Sequence, residues 1–312
     1  MLIRFWGVRG SIPTPLMPAK LRSKISSVLQ RVSAADIESQ ESRELFLSSL
    51  PDYLFSTVGG NTACVEVRTS EDCRFIFDAG TGIRDLGAEI VGSRKSSICH
   101  VFFSHFHWDH IQGLPFFGPA FDARNRISFY SPIPTFRSIL ENQMKPPYFP
   151  ITMDVMAASK HFHVLDGAPV KVGGVEILYR PMNHPGGCYS YEIRESGLKV
   201  IYSTDTELRE EDFRKSPANA EYFQNADLMI LDTQYTLGEA IEKYNWGHSS
   251  FSLAADFAAS WSIKRLVLFH HEPSYSDRKI EGIFKNAEWY VEHLESRGIE
   301  VYLAHEGLEI EI

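Results

Sequence analysis

Four side chains that can bind metal ions are concentrated in one short segment of the sequence. His105, His107, Asp109 and His110 follow directly after a β-rich run at residues 98–104. In an extended chain, side chains two positions apart point to the same side, so His105 and His107 can bind one ion while Asp109 and His110 turn toward another. Imidazoles and carboxylates without a thiolate suit zinc, and also iron or manganese. The motif HxHxDH at the end of a strand therefore predicts a metal site.

Three more candidate ligands lie far along the chain at the same kind of position. Each is a polar residue that follows an apolar, strand-like run: His184, Asp205 and His270. Taken singly, such a residue is often a hydrogen-bonded loop residue. Because all three repeat the arrangement of the first cluster, we expect the seven side chains to converge on a site for two metal ions.

Short β-rich runs recur along the whole chain, with helical patterns between and after them. The β-rich runs cover residues 2–6, 64–68, 74–78, 98–104, 127–130, 175–179, 189–194, 199–203, 228–231 and 265–269. The helical patterns cover residues 83–90, 134–144, 251–259 and 278–295. Strand-rich halves with helices outside imply two sheets packed face to face and covered by helices, which is an α/β fold. No composition shift or flexible linker divides the sequence, so we predict a single domain over residues 1–312.

One segment near the N-terminus, residues 16–58, has a different pattern from the rest. Leu21, Ile25 and Leu29 form a helical stripe, and Ser33 is placed to cap a second helix that runs toward residue 50. The formal charges of the acidic and basic side chains in this segment cancel, so we do not expect it to bind a polyanion. We expect an inserted pair of helices packed on the outside of the domain, with a lid over the site as the alternative.

The overall composition restricts the partners of the protein. The formal net charge of −9 repels polyanions, so nucleic-acid binding would need a local basic patch. No export signal is visible, no apolar run approaches the length of a membrane span, and the cysteines form no CxxC pair. We therefore expect a cytoplasmic protein with a small substrate and no membrane partner, and a homodimer is left open.

The order of these residues, HxHxDH followed by a distant His, Asp and His, resembles the metallo-β-lactamase superfamily. The resemblance implies a four-layer αββα sandwich with the site at one edge of its two sheets, and only the helical insertion has no counterpart in the shared pattern. It also implies two divalent metal ions, with zinc first and iron or manganese as alternatives. The implied ligands are His105, His107 and His184 for one ion, Asp109, His110 and His270 for the other, and Asp205 as the bridge.

Several segments look closer to the phosphodiesterase branch of this superfamily, which includes ribonuclease Z and small cyclic phosphodiesterases. They are residues 75–82, residues 107–115, and Asp232-Thr233 followed by Gly247-His248-Ser249-Ser250. The resemblance implies that His248 helps to protonate the leaving oxygen and that Asp109 both ligates an ion and orients the attacking water. The alternative for His248 is a loop residue that precedes a helix capped by Ser249 or Ser250.

The resemblance implies hydrolysis by a hydroxide that bridges the two ions. Residues 121–182 contain only scattered Lys and Arg, without the basic arm with which ribonuclease Z grips transfer RNA. We therefore predict a phosphodiesterase for a small phosphodiester, such as a cyclic nucleotide or cyclic phosphate. Aromatic residues such as Trp108 and Phe116 could wall a pocket for a base, and His271 could orient or bind the substrate. The alternatives are a ribonuclease Z-like endonuclease, or a lactonase, thioesterase or β-lactamase.

Overall fold

Two seven-stranded sheets form the centre of the computed structural model, which describes residues 1–71, 73–294 and 298–312. The strands of the first sheet are, in spatial order, β14 (Glu309–Glu311), β1 (Leu2–Gly7), β2 (Cys64–Arg68), β3 (Arg74–Phe77), β4 (Ile98–Phe102), β5 (Arg126–Ser131) and β6 (Ser159–Val164). Those of the second sheet are β13 (Glu300–Leu303), β12 (Arg265–Phe269), β11 (Leu228–Asp232), β10 (Leu198–Ser203), β9 (Cys188–Glu195), β8 (Val175–Met182) and β7 (Val170–Val172).

The helices lie before, between and after the strands. They are α1 (Pro18–Leu29), α2 (Gln40–Ser49), α3 (Asp52–Phe55), α4 (Ile83–Gly92), α5 (Trp108–Ile111), α6 (Phe136–Gln143), α7 (Glu210–Phe213), α8 (Pro217–Phe223), α9 (Leu237–Glu242), α10 (Phe251–Ser260) and α11 (Asp277–Glu292). The helical pattern at 278–295 corresponds to α11, and residue 295 lies outside the described residues.

Three apolar cores hold four layers together. The central core, between the two sheets, contains Phe77, Phe102 and Tyr202. A second core packs α4 and α6 against the outer face of the first sheet, and a third packs α8 and α10 against the second sheet. Each sheet is therefore covered on both faces, and the predicted αββα sandwich of the α/β class is confirmed.

The strands that precede the candidate ligands share one direction within each sheet. In the first sheet, β3, β4 and β5 are parallel. In the second sheet, β10, β11 and β12 are parallel, and β8 has the same direction because β9 is antiparallel to both β8 and β10. Parallel strands place their carboxyl ends at a common edge, which is where ligand sites form in α/β sheets. The loops after β4, β8, β10 and β12 can therefore meet at one site.

Four strands, β6, β7, β13 and β14, have no counterpart among the predicted β-rich runs. They are the outermost strands of the two sheets. An edge strand has a neighbour on one side only and keeps many side chains in solvent, so it does not need the apolar, β-branched sequence of an inner strand. The sequence Ser159–Val164 of β6, which contains two histidines and a lysine, is an example.

The segment 16–58 contains α1, α2 and α3, but it packs differently from the prediction. No residue from 11 to 49 is buried, and the stripe of Leu21, Ile25 and Leu29 faces solvent. The contact with the rest of the protein runs through α3, which packs on α11, and through Lys24, whose Nζ lies 2.5 Å from Asp277 Oδ2. The single-domain assignment and the boundaries of the insertion remain predictions.

The prediction that Ser33 caps the second helix is wrong. The Ser33 hydroxyl bonds to the side chain of Asp36, and residues 35–37 form one 3-10 turn. The cap of α2 is Ser39, whose Oγ accepts a hydrogen bond from the Ser42 backbone N–H at 3.0 Å. Ser33 and Ser39 are both residues that could cap a helix. The hydroxyl of Ser33 is already bonded to the carboxylate of Asp36, and Ser39 caps α2.

Candidate metal centre

The two parts of the HxHxDH motif lie on different local structures. His105 and His107 belong to the loop after β4, and His107 is the N-cap residue of α5. Asp109 and His110 lie within the single turn of α5, so their side chains leave the backbone in other directions than those of the loop. The chain thus presents two pairs of ligands to two neighbouring positions.

The distant candidates arrive from the second sheet. His184 follows β8, Asp205 follows β10, and His270 directly follows β12. Asp205 has a φ of 46° and His270 a φ of 64°, a left-handed backbone that is uncommon for residues other than glycine. Such backbone conformations cluster at functional sites, where the surrounding structure holds them in place.

All seven predicted ligands come together in two adjacent groups that could each hold an ion. One group is His105, His107, His184 and Asp205, and the other is Asp109, His110, Asp205 and His270; within each group the ligand atoms lie within 4.8 Å of one another. Asp205 belongs to both groups. The remaining predicted site residue, His248, lies beside the second group.

The two carboxylate oxygens of Asp205 face different groups. Oδ1 lies 3.7 Å from Nε2 of His105 and 3.7 Å from Nε2 of His184. Oδ2 lies 3.1 Å from Nε2 of His110 and 3.1 Å from Nε2 of His270. This is the arrangement that a carboxylate needs to bridge two cations.

Buried nitrogen atoms without partners indicate that these groups fit metal ions. Nε2 of His105 and Nε2 of His110 are buried and have no hydrogen-bond partner within the described residues. Buried polar atoms are nearly always paired, so an unpaired imidazole nitrogen that faces carboxylates and other imidazoles fits the position of a metal ligand. The donor set of imidazoles and carboxylates suits zinc, iron or manganese.

Fixed hydrogen bonds turn four of the histidines toward the centre. In each case Nδ1 bonds to a neighbouring oxygen, which leaves Nε2 for an ion. The pairs are His105 with Ser104 Oγ at 3.0 Å, His110 with Asp78 Oδ2 at 2.8 Å, His184 with the Gly247 carbonyl at 3.0 Å, and His270 with Gln234 Oε1 at 2.9 Å. His107 is arranged the other way, since its Nδ1 lies 3.1 Å from Nε2 of His184.

The supporting residues Asp78, Gln234 and Gly247 were not among the predicted site residues. Asp78 directly follows β3, and Gln234 lies just beyond β11, so both sit at the strand ends that reach the site. That position is the signal that could have found them. Gly247 is required by space, because a Cβ there would lie 2.2 Å from Nδ1 of His184.

The electrostatics of the centre favour added positive charge. Burial lowers the pKa of His105 well below its usual value, with a further contribution from His110, so this ring is neutral and ready to ligate. Burial alone would raise the pKa of Asp205, but His270, His110 and His105 hold it well below its usual range. The carboxylate is therefore ionised although its side chain is buried. Burial alone would lower the pKa of His110, but Asp109, Asp205 and Asp78 raise it well above its usual value, so a divalent cation that binds here takes the place of a proton.

His248 is paired with a buried carboxylate. Its Nδ1 donates to Oδ2 of Asp232 at 2.7 Å, and its ring stacks on that of His270 with centroids 5.2 Å apart. Burial lowers the pKa of His248, but the charge and hydrogen bond of Asp232 outweigh burial and raise the pKa to about 9. Ser250 caps α10, as the alternative for this segment predicted, and the role of His248 in protonating the leaving oxygen stays a prediction.

His271 lies outside the two groups. Its side chain is buried, and its Nε2 bonds to the Ala304 carbonyl at 2.8 Å. Burial lowers the pKa of this imidazole to about 3, so it is neutral. We therefore assign His271 to the attachment of β12 to the segment after β13, rather than to substrate.

A cavity of about 360 Å³ opens over the two groups and is lined by Ser11, Trp108 and His248 among others. The backbone N–H of Ser11 donates to Oδ2 of Asp109 at 2.7 Å, which fixes this carboxylate from the N-terminal side of the chain.

In the part of the chain that the structure describes, no helix combines the length and apolar character of a membrane span.

The model of the beta-lactamase superfamily domain matches residues 73–271. The chain belongs to this superfamily. A curated relative of this chain is ribonuclease Z from Streptococcus pneumoniae (strain CGSP14). The two sequences are 22% identical over 276 residues, and the match covers 70% of this chain and 86% of the relative. A match at this identity supports membership of the family and a metal-dependent hydrolase. It does not identify one substrate.

Solved structures share the fold over the full length of this superfamily member. The metallo-beta-lactamase fold protein YhfI from Bacillus subtilis has a TM-score of 0.66 and 15% identity, and the match covers 100% of this chain and 98% of that one. A diphosphatase from the PhnP family has a TM-score of 0.65 and 16% identity, with 100% and 97% covered. Zn²⁺-bound PqqB from Methylobacterium extorquens has a TM-score of 0.64 and 15% identity, with 100% of both chains covered.

Proposed function

We propose that this protein is a binuclear phosphodiesterase that hydrolyses a small phosphodiester, such as a cyclic nucleotide or cyclic phosphate. The observation that carries the proposal is the position of Asp205, whose two oxygens each face one of two groups of candidate ligands that are buried except for His107. When bound, two divalent ions, with zinc as the first choice, supply an acidified water and neutralise charge on the phosphate oxygens.

Asp109 is placed to hold the attacking water. Its Oδ2 is fixed by the Ser11 N–H at 2.7 Å and lies 3.2 Å from Nε2 of His110. Because His270 also lies 3.3 Å from this oxygen, the carboxylate has little freedom to rotate. A fixed carboxylate next to the ligand groups can accept a hydrogen bond from the water and orient it toward phosphorus.

His248 is placed to protonate the leaving oxygen. Against the effect of burial, the charge and hydrogen bond of Asp232 raise its pKa to about 9, which favours the protonated ring, and His248 lines the cavity that opens over the ligand groups. Asp232 holds its Nδ1, so Nε2 is free to face the substrate. Donation of this proton to the departing alkoxide completes the cleavage of the phosphorus–oxygen bond.

A small substrate is favoured over a large polyanion by charge and by the size of the cavity. The net charge is −9, and the cavity of about 360 Å³ lies in the range of small-molecule sites. A ribonuclease Z-like endonuclease is the second candidate, because curated relatives carry that name. A lactonase, thioesterase or β-lactamase would place a carbonyl where the phosphorus is proposed to lie.

One experiment separates these candidates. The purified protein is analysed for metal content and then offered 2′,3′- and 3′,5′-cyclic nucleotides, bis-p-nitrophenyl phosphate, a transfer RNA precursor, a lactone and nitrocefin. We expect two ions per chain and turnover confined to the small phosphodiesters. Cleavage of the precursor alone would favour the endonuclease, and turnover of the lactone or nitrocefin alone would favour the carboxyl hydrolase.

The Asp205→Asn variant tests the site itself, with Asp154→Asn at an exposed surface position as the matched control. Loss of the shared carboxylate should lower metal occupancy and reduce kcat by more than the roughly 10- to 100-fold typical of residues that only support a ligand. The control should keep both values. Unchanged occupancy and rate in Asp205→Asn would overturn the proposal.

A further inference from the structure

Two tryptophans next to the metal centre keep most of their side chains in solvent. Trp108 is 82% exposed and Trp246 is 62% exposed. By contrast, Trp6 and Trp261 are buried in the apolar cores of the protein. Trp108 and Trp246 therefore contribute little to the packing of the fold, although an indole is the largest apolar group that a side chain can offer.

Both tryptophans are next in the chain to residues that belong to the candidate metal centre or support it. Trp108 lies between the candidate ligands His107 and Asp109 and lines the cavity over them. Trp246 directly precedes Gly247, whose carbonyl accepts the hydrogen bond of His184 Nδ1 at 3.0 Å. Nε2 of His184 lies 3.1 Å from Nδ1 of His107, so His184 contacts both the loop that carries Trp108 and the loop that carries Trp246.

The backbone beneath each indole is held in place. His107 is the N-cap of α5, which also carries Trp108. The N–H of Gly247, next to Trp246, donates to Oε2 of Glu207 at 3.0 Å. The two rings are thus exposed groups on fixed supports, and a flat ligand can stack on them without first ordering a loop.

We propose that Trp108, with Trp246 on the adjoining loop, forms a stacking subsite for the nucleobase of the substrate. This inference rests on the proposed function, because it requires the phosphate to lie at the metal centre. It narrows the substrate class to phosphodiesters of nucleosides, in preference to cyclic phosphates of sugars without a base. Stacking on an aromatic side chain accepts any base, because every base has a π-face, so the subsite selects for the presence of a base and little for its identity.

The test uses binding, so that it does not depend on turnover. The zinc-loaded protein is titrated by calorimetry with adenosine 5′-monophosphate and with ribose 5-phosphate, which share the phosphate and the sugar and differ in the base. Stacking of one base is worth between about fivefold and a hundredfold in affinity. We expect adenosine 5′-monophosphate to bind more tightly by a factor in this range.

The variants assign that preference to the proposed residues. Trp108→Ala should bring the ratio of the two affinities close to one, Trp108→Phe should keep part of it, and Trp246→Ala should reduce it. Trp289→Ala is the matched control, because Trp289 is 60% exposed but lies on α11, where it stacks on His293. It should leave the ratio unchanged.

Two results would overturn the subsite. One is equal affinity of the unaltered protein for both ligands, and the other is a Trp108→Ala variant that weakens both ligands equally. Metal content and circular dichroism of each variant distinguish these results from a failure to fold. A base preference without hydrolysis of any phosphodiester would support the subsite and contradict the proposed reaction, so the two ideas fail separately.

Discussion

Oδ2 of Asp78 lies 2.8 Å from Nδ1 of His110, and both side chains are buried. The same carboxylate accepts hydrogen bonds from the Ser104 hydroxyl at 2.7 Å and from the Tyr202 hydroxyl at 2.8 Å. Because Tyr202 belongs to β10 of the second sheet, Asp78 connects the two sheets beneath the metal centre as well as orienting a candidate ligand.

The Asp78→Asn substitution should weaken metal binding. The amide would replace a charged acceptor by a neutral one, so the hydrogen bond that turns Nε2 of His110 toward the centre would become weaker. Residues in this supporting position typically contribute about 10- to 100-fold in metal affinity or activity. We expect a loss of this size in zinc affinity, measured by competition with a chromogenic chelator.

Tyr202→Phe is the matched control for that measurement. It removes one hydrogen bond to the same carboxylate but leaves the bond between Asp78 and His110 intact. Its zinc affinity should stay within a few-fold of the unaltered protein. Equal losses in the two variants would show that Asp78 acts through packing rather than through His110.

The rate should fall at alkaline pH because His248 acts as a proton donor. An acid is active in its protonated form, so kcat declines as pH rises through the pKa, which is about 9 in the metal-free protein. Bound dications would repel the imidazolium and lower that pKa, so we expect the decline at or somewhat below pH 9. His248→Gln should reduce kcat by about 10²- to 10⁴-fold and remove the alkaline decline.

Asp232→Asn provides the sharper version of the pH test. Loss of the negative partner lowers the pKa of His248, and an opposite charge at this distance is worth about one unit or more. The alkaline decline in kcat should therefore move to lower pH. If the pH profile stays in place, His248 is not the group that titrates.

Removal of metal should destabilise the fold, because the proposed ligands come from loops of both sheets. An ion that binds only the folded state, present at a hundred times its Kd, contributes about 2.7 kcal/mol. For a chain of this size we expect chelation to lower Tm by roughly 5 °C. The measurement is thermal unfolding followed by circular dichroism with and without EDTA. Asp205→Asn should show a smaller difference between the two conditions, and an equal difference would place the stabilising ion elsewhere.

The inner strands and the convergence of the candidate ligands could be predicted from sequence because both follow from local patterns. Apolar, β-branched runs mark strands that are covered on both faces, and a polar residue after such a run marks the loop at its end. His184, Asp205 and His270 satisfy this pattern although they lie far from the HxHxDH motif in the chain.

Partners across the fold could not be predicted in the same way. The hydrogen bond between Asp232 and His248, like that between Asp78 and His110, depends on how separate loops pack. The sequence of one loop does not indicate which residue of another loop it will contact. The exposure of the apolar stripe of Leu21, Ile25 and Leu29 could not be predicted for a related reason. An amphipathic pattern predicts a helix, but it does not state whether another element of the chain covers its apolar face.

The absence of buried side chains from residue 11 to residue 49 has a consequence for the integrity of the polypeptide. The strand before this stretch, β1, is held between β14 and β2 by pairing on both of its sides. A protease that nicked the backbone inside the stretch would break a covalent bond but leave the three cores and the β1 pairings intact. The short leading fragment would stay docked in its sheet, and the nicked molecule would keep its shape as a non-covalent complex of two pieces.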